Sequence, residues 1–243
     1  MKHFDKSEYL EQDEFLNTLK EYEEARKNGR DIYLDVDVLA NISNYYETHD
    51  NSLAAIDTIE YAIRLFPGDV YPLVFRARMA ILIEDDIEKA KKYLKSVIDK
   101  HDIEYYYAIA EVKIAEGHPE LASKYLKHKA EDIDEDDTES YIVEVATLFA
   151  DYNEFVIAKK WIDISNNPDD PDYWQIKGLI ELGLGNLKES ENIYNSLLDK
   201  DPYSSEYWNQ LASTQLLNSN FSDSVSSSEF SIAINPNDPD AIL

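Results

Sequence analysis

Apolar residues recur along the chain at helical spacing, and short polar segments separate one apolar stretch from the next. Within 171–204, Trp174, Gly178 and Leu182 lie four residues apart, so they share one face of a helix. Two glycines interrupt this pattern, and a second stretch with helical spacing follows from 187 to 200. The chain has only 6 Gly and 8 Pro, so the pattern predicts an all-α protein made of helix–turn–helix units.

The residues that interrupt the helices recur with a fixed period. Pro168, Pro202 and Pro236 follow one another at intervals of ~34 residues, as do Trp174 and Trp208. A fixed period of ~20–50 residues marks a repeat protein, and this one is typical of stacked helix pairs. A small residue holds one place in the first helix of each period, where it lets two helices approach closely. These small residues are Ser43, Ala77, Ala110, Ala146, Gly178 and Ala212.

The repeating pattern resembles the tetratricopeptide repeat family. The segment 49–69 matches the second half of that family's signature, with Ala55, Ala62 and Pro67 at the corresponding places. The resemblance covers roughly 36–238. It implies a right-handed superhelical solenoid, an α-α superhelix, whose first helices line a concave face.

The sequence predicts a division into three parts. Residues 1–35 form an N-terminal capping helix and linker, 36–238 form six repeats, and 239–243 begin a truncated seventh repeat. The repeats are 36–69, 70–102, 103–136, 137–170, 171–204 and 205–238. The register of the second and fourth repeats stays open. The capping helix is expected to begin at Ser7 and to pack on the first repeat through Phe15, Leu16, Leu19 and Tyr22.

The charge balance limits the classes of partner. With 50 acidic and 23 basic residues, the net charge is −27 at pH 7, which repels phosphates and opposes nucleic-acid binding. The chain has no Cys, which excludes disulfides, thiolate metal sites and Cys nucleophiles. It shows neither a signal peptide nor an apolar run of the roughly 20 residues that span a membrane. We therefore expect a cytoplasmic protein without a membrane partner.

Candidate catalytic and metal-binding patterns have simpler explanations. The five histidines form no pair at the spacing of a zinc site, and no nucleophile motif accompanies them. The segment 131–139 holds seven carboxylates, which suggests Ca²⁺, but it lacks the glycine of a calcium-binding loop. A solvated loop between repeats is the commoner origin of such a run. We expect no enzymatic activity, no metal and no cofactor.

The family resemblance implies that a partner protein binds along the concave face. The protein-binding groove mapped from the first helices consists of Asn44, Glu47, Glu104, Tyr107, Glu111, Val143, Thr147, Asp151, Asp172, Gln175, Leu179, Leu182 and Asn209. Together with Asp37 and Glu206, the mapped face holds seven acidic residues and no Lys or Arg. It therefore lacks the basic clamp with which some family members hold a terminal carboxylate.

The predicted function is a non-enzymatic protein–protein interaction scaffold. Its partner segment is expected to be neutral or basic, with apolar anchors that meet Tyr107, Val143, Leu179 and Leu182. One alternative is a self-assembly module that forms a homo-oligomer through an uncapped C-terminal end. Another is the recognition arm of a larger protein, whose remaining repeats or catalytic domain lie beyond residue 243. A further alternative is that the acidity serves solubility alone.

Overall fold

The computed structural model describes residues 13–165 and 169–236, and within these residues it contains thirteen α-helices and no strand. The helices are α1 (Asp13–Lys27), α2 (Val36–Thr48), α3 (Ser52–Leu65), α4 (Val70–Leu82), α5 (Ile87–Lys95), α6 (Ile103–Ala115), α7 (Pro119–Lys129), α8 (Thr138–Asp151), α9 (Phe155–Ile162), α10 (Pro171–Gly183), α11 (Leu187–Leu198), α12 (Ser205–Leu217) and α13 (Phe221–Ile234). Two single 3₁₀ turns, Ala130–Asp132 and Glu135–Asp137, precede α8. The all-α prediction is confirmed.

Polar side chains just before four of the first helices, α4, α6, α10 and α12, cap those helices. Asp69 and Asp102 accept backbone N–H bonds from residues two places further on, at 3.0 and 2.8 Å. Asp170 caps α10 in the same way, and Ser204 caps α12 by accepting the N–H of Tyr207, three places further on. Because the first N–H groups of a helix have no partner inside it, each cap stabilises its helix by about 0.5–2 kcal/mol. Part of the acidic excess therefore serves the fold.

A residue with left-handed backbone lies in the turn that follows each of the first helices α2, α4, α6, α8, α10 and α12. These residues are Asp50, Asp85, Gly117, Asn153, Gly185 and Ser219, with φ between 51° and 80°. Glycine adopts this conformation without strain, whereas a residue with a Cβ does so at a cost. Gly183, one of the two glycines expected to interrupt the helical pattern of 171–204, is the last residue of α10.

The chain divides into two compact units, which join at His118 and Pro119. In the first unit α2 packs on α3, and α4 packs on α5 and α6. Helix α1 buries Phe15, Leu19 and Tyr22 in the core formed with α2 and α3, and the Tyr22 hydroxyl donates to Thr58 Oγ1 at 3.1 Å. Leu16 was expected in this stripe, but it is 40% exposed because it follows Phe15 directly and so points to another face of the helix.

The second unit contains the helix pairs α8–α9, α10–α11 and α12–α13, each in contact with the next. Its core includes Trp161, whose indole N–H donates to Ser123 Oγ at 2.9 Å and whose ring meets Tyr141 edge-on. A second cluster joins α11 to α12 through Tyr194 and Leu211.

The small residues predicted for the first helices are all buried. A Cβ built on Gly178 would lie 2.9 Å from the Tyr194 ring, so only glycine lets α10 and α11 approach this closely. The corresponding residues one period later are Ala212 and Ser228, a larger residue opposite a smaller one.

Three features of the predicted division lie outside the described residues. They are the helix start at Ser7, the closing Pro168, and the beginning of a seventh repeat at 239–243. The division into six repeats stays a prediction.

The candidate protein-binding face of the first helices

In the first unit, α2 carries two polar side chains of the predicted groove. Asn44 and Glu47 are half-buried, and within the described residues neither side chain has a hydrogen-bond or ion-pair partner. Burial raises the pKa of the Glu47 carboxyl, because partial loss of hydration disfavours its charged form. A cation brought next to Glu47 would recover that lost stabilisation.

The two acidic groove residues on α6 are bound to an arginine of α4. Arg78 Nε donates to both carboxylate oxygens of Glu111, at 2.9 and 3.0 Å, and Arg78 Nη1 donates to Glu104 at 3.1 Å. Burial opposes the charge on Arg78, but its pairs with Glu111 and Glu104 outweigh that effect and raise its pKa. The cluster of three side chains retains only one net negative charge. Arg78 therefore neutralises much of the acidity predicted for this part of the face.

A second arginine, two residues earlier on α4, has a different surrounding. Arg76 is 1% exposed and pairs with Glu60 and Glu84, each at 2.9 Å. The Tyr93 ring covers its guanidinium, and the Tyr93 hydroxyl donates to Glu60. Since Glu60 lies on α3 and Tyr93 lies on α5, Arg76 joins both helices to α4. Removal of one partner of such a buried pair would leave an uncompensated charge.

Tyr107 on α6 was predicted to meet an apolar anchor of the partner. It is only 5% exposed. A partner could therefore contact only a small part of its ring.

In the second unit, α8 positions Val143, Thr147 and Asp151. Val143 is 7% exposed, and the Thr147 hydroxyl donates to the Val143 carbonyl at 2.9 Å. Both are therefore largely committed to α8 and its packing. Asp151 is the exposed last residue of α8, yet nearby protein atoms remove enough hydration to raise its pKa.

Helices α10 and α12 carry the remaining groove residues. Leu179 and Leu182 on α10 are half-buried, and Asp172 is exposed at the start of that helix. The Gln175 amide donates to Glu206 of α12, so these two polar side chains join neighbouring first helices. Asn209 on α12 is buried. Of the predicted apolar anchors, only the two leucines keep substantial exposed surface.

Comparison with known proteins relates this arrangement to one fold. No family model matches the amino-acid sequence, and no curated protein matches it either. Among solved structures, PilW, a widely conserved type IV pilus biogenesis factor, has a TM-score of 0.55 at 12% identity, over 86% of this chain and 98% of its own. A tetratricopeptide repeat protein from Parabacteroides merdae has a TM-score of 0.54 at 14% identity, over 85% of this chain and 82% of its own.

The chain has the tetratricopeptide repeat fold. A further structure with this likeness is the APC/C hetero-tetramer Cut9–Hcn1, with a TM-score of 0.51 and 14% identity. That match covers 95% of this chain but 45% of the other, so the likeness is to part of the longer protein. At these identities the comparisons establish the fold alone.

The repeat period places further side chains of α4 at positions that correspond to the predicted groove residues of α2. Arg78 lies one period after Asn44, and Ile81 and Leu82 lie one period after Glu47 and Thr48. Leu82 is exposed and Ile81 is half-buried, so α4 offers apolar surface on the face where α2 offers an acid. The signal was the repeat period, and Arg78 obscured it because this residue interrupts the apolar pattern of 70–83.

Within residues 13–165 and 169–236, no group of three or more His, Asp or Glu side chains is arranged to hold a metal ion. The acidic run 131–139 lies on two 3₁₀ turns and the start of α8. No helix in the same described residues is both long enough and apolar enough to span a membrane.

Proposed function

We propose that this chain is a non-enzymatic scaffold whose first helices bind a segment of a partner protein. The observation that carries the proposal is a set of first-helix side chains that the fold leaves partly exposed. In the first unit these are Asn44, Glu47 and Leu82, and in the second unit they are Leu179 and Leu182. In the first unit, unpaired polar groups beside exposed apolar surface offer a partner segment both hydrogen-bonding groups and apolar area to bury.

The charge of this face favours a neutral or basic partner segment. Glu47 and Asp151 have carboxyl pKa values raised by loss of hydration. An approaching Lys or Arg side chain would lower those pKa values and gain free energy from the pairing. Around Glu104 and Glu111, Arg78 already supplies the cation, so we expect that region to accept an uncharged stretch of the partner.

The structural neighbours support a protein partner only by analogy. Cut9 was solved in a hetero-tetramer with Hcn1, so a chain with a similar fold assembles with another protein. The tetratricopeptide fold itself does not specify the partner.

Affinity capture from the source organism with matched variants tests the proposal. We expect the native chain to enrich a protein that the variant carrying Glu47→Gln and Leu82→Ala, both in the first unit, does not retain. A control variant carrying Glu120→Gln and Leu121→Ala changes the same residue types at exposed places on α7, and we expect it to behave like the native chain. Equal capture by all three proteins would contradict binding at the first-helix face.

The electrostatic part has its own test. If a cation of the partner pairs with ionised Glu47, affinity falls as the pH drops towards the raised pKa of Glu47, because the protonated carboxyl loses the pairing. Added salt weakens the same interaction. Measured with the captured partner, affinity that is insensitive to both pH and salt would leave the acidity with a role in solubility alone.

A second copy of the chain is the alternative partner, and α13 provides the observation that favours it. Phe221 and Val225 are 63% and 59% exposed on one face of α13, and Ile232 continues that face. The segment 205–236 contains three acidic residues and no Lys or Arg, so like charges on two copies oppose this association and added salt should favour it. Light scattering over a range of protein concentrations tests this: mass that rises with concentration in the native chain, but not in Val225→Asp, supports self-assembly.

A further inference from the structure

A cavity of about 340 Å³ lies beside the indole of Trp174 in the second unit. Trp174 lies about 100° around α10 from Gln175 and about 80° from Leu182, so it points to the side of the predicted groove rather than into it. The other lining residues belong to α11 and the residues after it. They are Glu189, Asn192, Ile193, Ser196, Leu197 and Lys200. Ile193 and Leu197 make the floor apolar, and the remaining four residues supply polar atoms.

The next helix pair shows what fits at this position. Trp208 lies one period after Trp174, and the Phe230 ring stacks on it with ring centroids 4.6 Å apart and an interplanar angle of 25°. Phe230 itself lies one period after Ser196. Since α12 begins and ends one period after α10, and α13 begins one period after α11, the two positions correspond in backbone. Where α13 places a phenyl ring on a tryptophan, α11 places only a serine.

Ser196 does not fill the space that this difference leaves. Its hydroxyl donates to the Asn192 carbonyl at 2.9 Å, so the side chain turns back on its own helix. On the Trp174 side, the Lys177 ammonium lies 4.9 Å from the indole centroid and also donates to the Tyr173 hydroxyl. These contacts hold the indole in place beside the open cavity.

We infer that the cavity beside Trp174 is a binding site for an aromatic side chain of a partner protein, distinct from the first-helix face. An aromatic ring entering the cavity can stack on the indole as Phe230 stacks on Trp208, in the offset arrangement that aromatic pairs prefer. Ile193 and Leu197 bury its edge, and Asn192 and Glu189 provide groups that can bond to the N–H groups of the incoming backbone. The volume falls at the small end of the roughly 300–1,000 Å³ common for ligand pockets, which suits one side chain.

The indole N–H resonances of Trp161, Trp174 and Trp208 test this inference in a single NMR titration. The probe is N-acetyl-L-phenylalanine amide, and the control is N-acetyl-L-cyclohexylalanine amide, which has a similar size but no aromatic ring. We expect the phenylalanine probe to shift the Trp174 resonance in a saturable way and to leave the other two unmoved. Trp208 is already stacked on Phe230, and Trp161 is buried.

Two variants exchange the side chains that distinguish the corresponding positions. Ser196→Phe should place a ring on Trp174 from within the chain and abolish the response of that resonance. Phe230→Ser should uncover Trp208 and give its resonance a response weaker than that of Trp174, because Ser227 and Ser231 lie where Ile193 and Leu197 form the apolar floor. Phe230 is 54% exposed on α13, so its removal leaves the core intact and the test remains decisive even if Ser196→Phe fails to fold.

Three outcomes would overturn the inference. One is a Trp174 resonance that the phenylalanine probe does not shift. Another is an equal response to the cyclohexyl control, which would make the cavity a general apolar site. The third is a Trp208 resonance that responds in Phe230→Ser as strongly as Trp174 does in the native chain, since Ile193 and Leu197 would then contribute nothing to binding.

Discussion

The helix pairs α10–α11 and α12–α13 follow one backbone plan with different interiors. Their first helices run from Pro171 to Gly183 and from Ser205 to Leu217, a shift of one period at both ends. The buried face of α11 consists of one serine and four large residues: Ser190, Ile193, Tyr194, Leu197 and Leu198. The buried face of α13 consists of four serines: Ser224, Ser227, Ser228 and Ser231.

Hydrogen bonds hold α13 where apolar contact holds α11. Ser224 donates to the Ala212 carbonyl at 2.9 Å, Ser227 to Gln215 Oε1 at 2.8 Å, and Ser231 to the Ser205 carbonyl at 3.0 Å. A hydrogen bond contributes only about 0.5–1.5 kcal/mol net, whereas burial of a large apolar side chain contributes about 1.5–3 kcal/mol. The repeat length therefore fixes where helices lie, and the buried side chains decide how strongly each is held.

The largest expected difference comes from truncating corresponding buried residues. Leu197→Ala should lower the free energy of unfolding by about 2–5 kcal/mol, since it leaves a cavity beneath α11. Ser231→Ala, one period later, should lower it by about 1 kcal/mol through its lost hydrogen bond. Urea denaturation of both variants measures the difference. Equal losses would mean that α13 contributes as much through its serines as α11 does through its leucines.

The next effect concerns the contact between the two helices of a pair. Gly178→Ala should destabilise the chain by about 1–3 kcal/mol, because the new methyl group meets the Tyr194 ring. In a Tyr194→Ser background, which copies the Ala212 and Ser228 combination of the next pair, the same substitution should be neutral or stabilise by up to about 1 kcal/mol, because alanine favours the helix. A double-mutant cycle by thermal denaturation tests this, and additive losses would rule out the steric explanation.

A smaller effect distinguishes the outer faces of α11 and α13. Phe230→Ala should cost about 0.5–1.5 kcal/mol, since it removes the ring that stacks on Trp208. Ser196→Ala, at the corresponding place on α11, should be neutral within error because Ser196 is exposed. Both values follow from thermal melts. A neutral Phe230→Ala would show that the stacked ring adds no stability.

The smallest effect lies in the turn inside each pair. Ser219 has φ of 63°, where the preceding pair has Gly185 at 80°. Ser219→Gly should stabilise the chain by less than about 1 kcal/mol, because relief of backbone strain exceeds the added entropy of the unfolded glycine only slightly. Gly185→Ser should destabilise it by a similar amount. Changes of the opposite sign in calorimetry would mean that turn strain does not distinguish the pairs.

The sequence predicted the helical architecture because its strongest signals are local. Trp174 recurs one period later as Trp208, and a small residue such as Gly178 recurs at one place in each first helix. Any two helices in close contact need a small residue where they approach. The burial of Ser227 and Ser231 could not be predicted in this way, since serines on a helix ordinarily face solvent and here depend on acceptors in α12.

The prediction of the groove was limited in the same way, because sequence signals are local and contacts between helices are not. The positions of Glu104 and Glu111 on α6 follow from helix periodicity. Their pairing with Arg78 depends on how α4 packs on α6. The residue pattern of a single helix does not reveal that packing. Likewise the apolar character of Val143 was evident from the sequence, but its burial depends on neighbouring helices.

The absence of Lys and Arg from the last helix pair has a consequence for protease digestion. The final basic residue of the sequence, Lys200, is exposed between α11 and α12, and the segment 201–243 contains no trypsin site. A single tryptic cut after Lys200 therefore separates the α10–α11 pair from the α12–α13 pair. The rate of that cut under native conditions reports how often the junction between them opens.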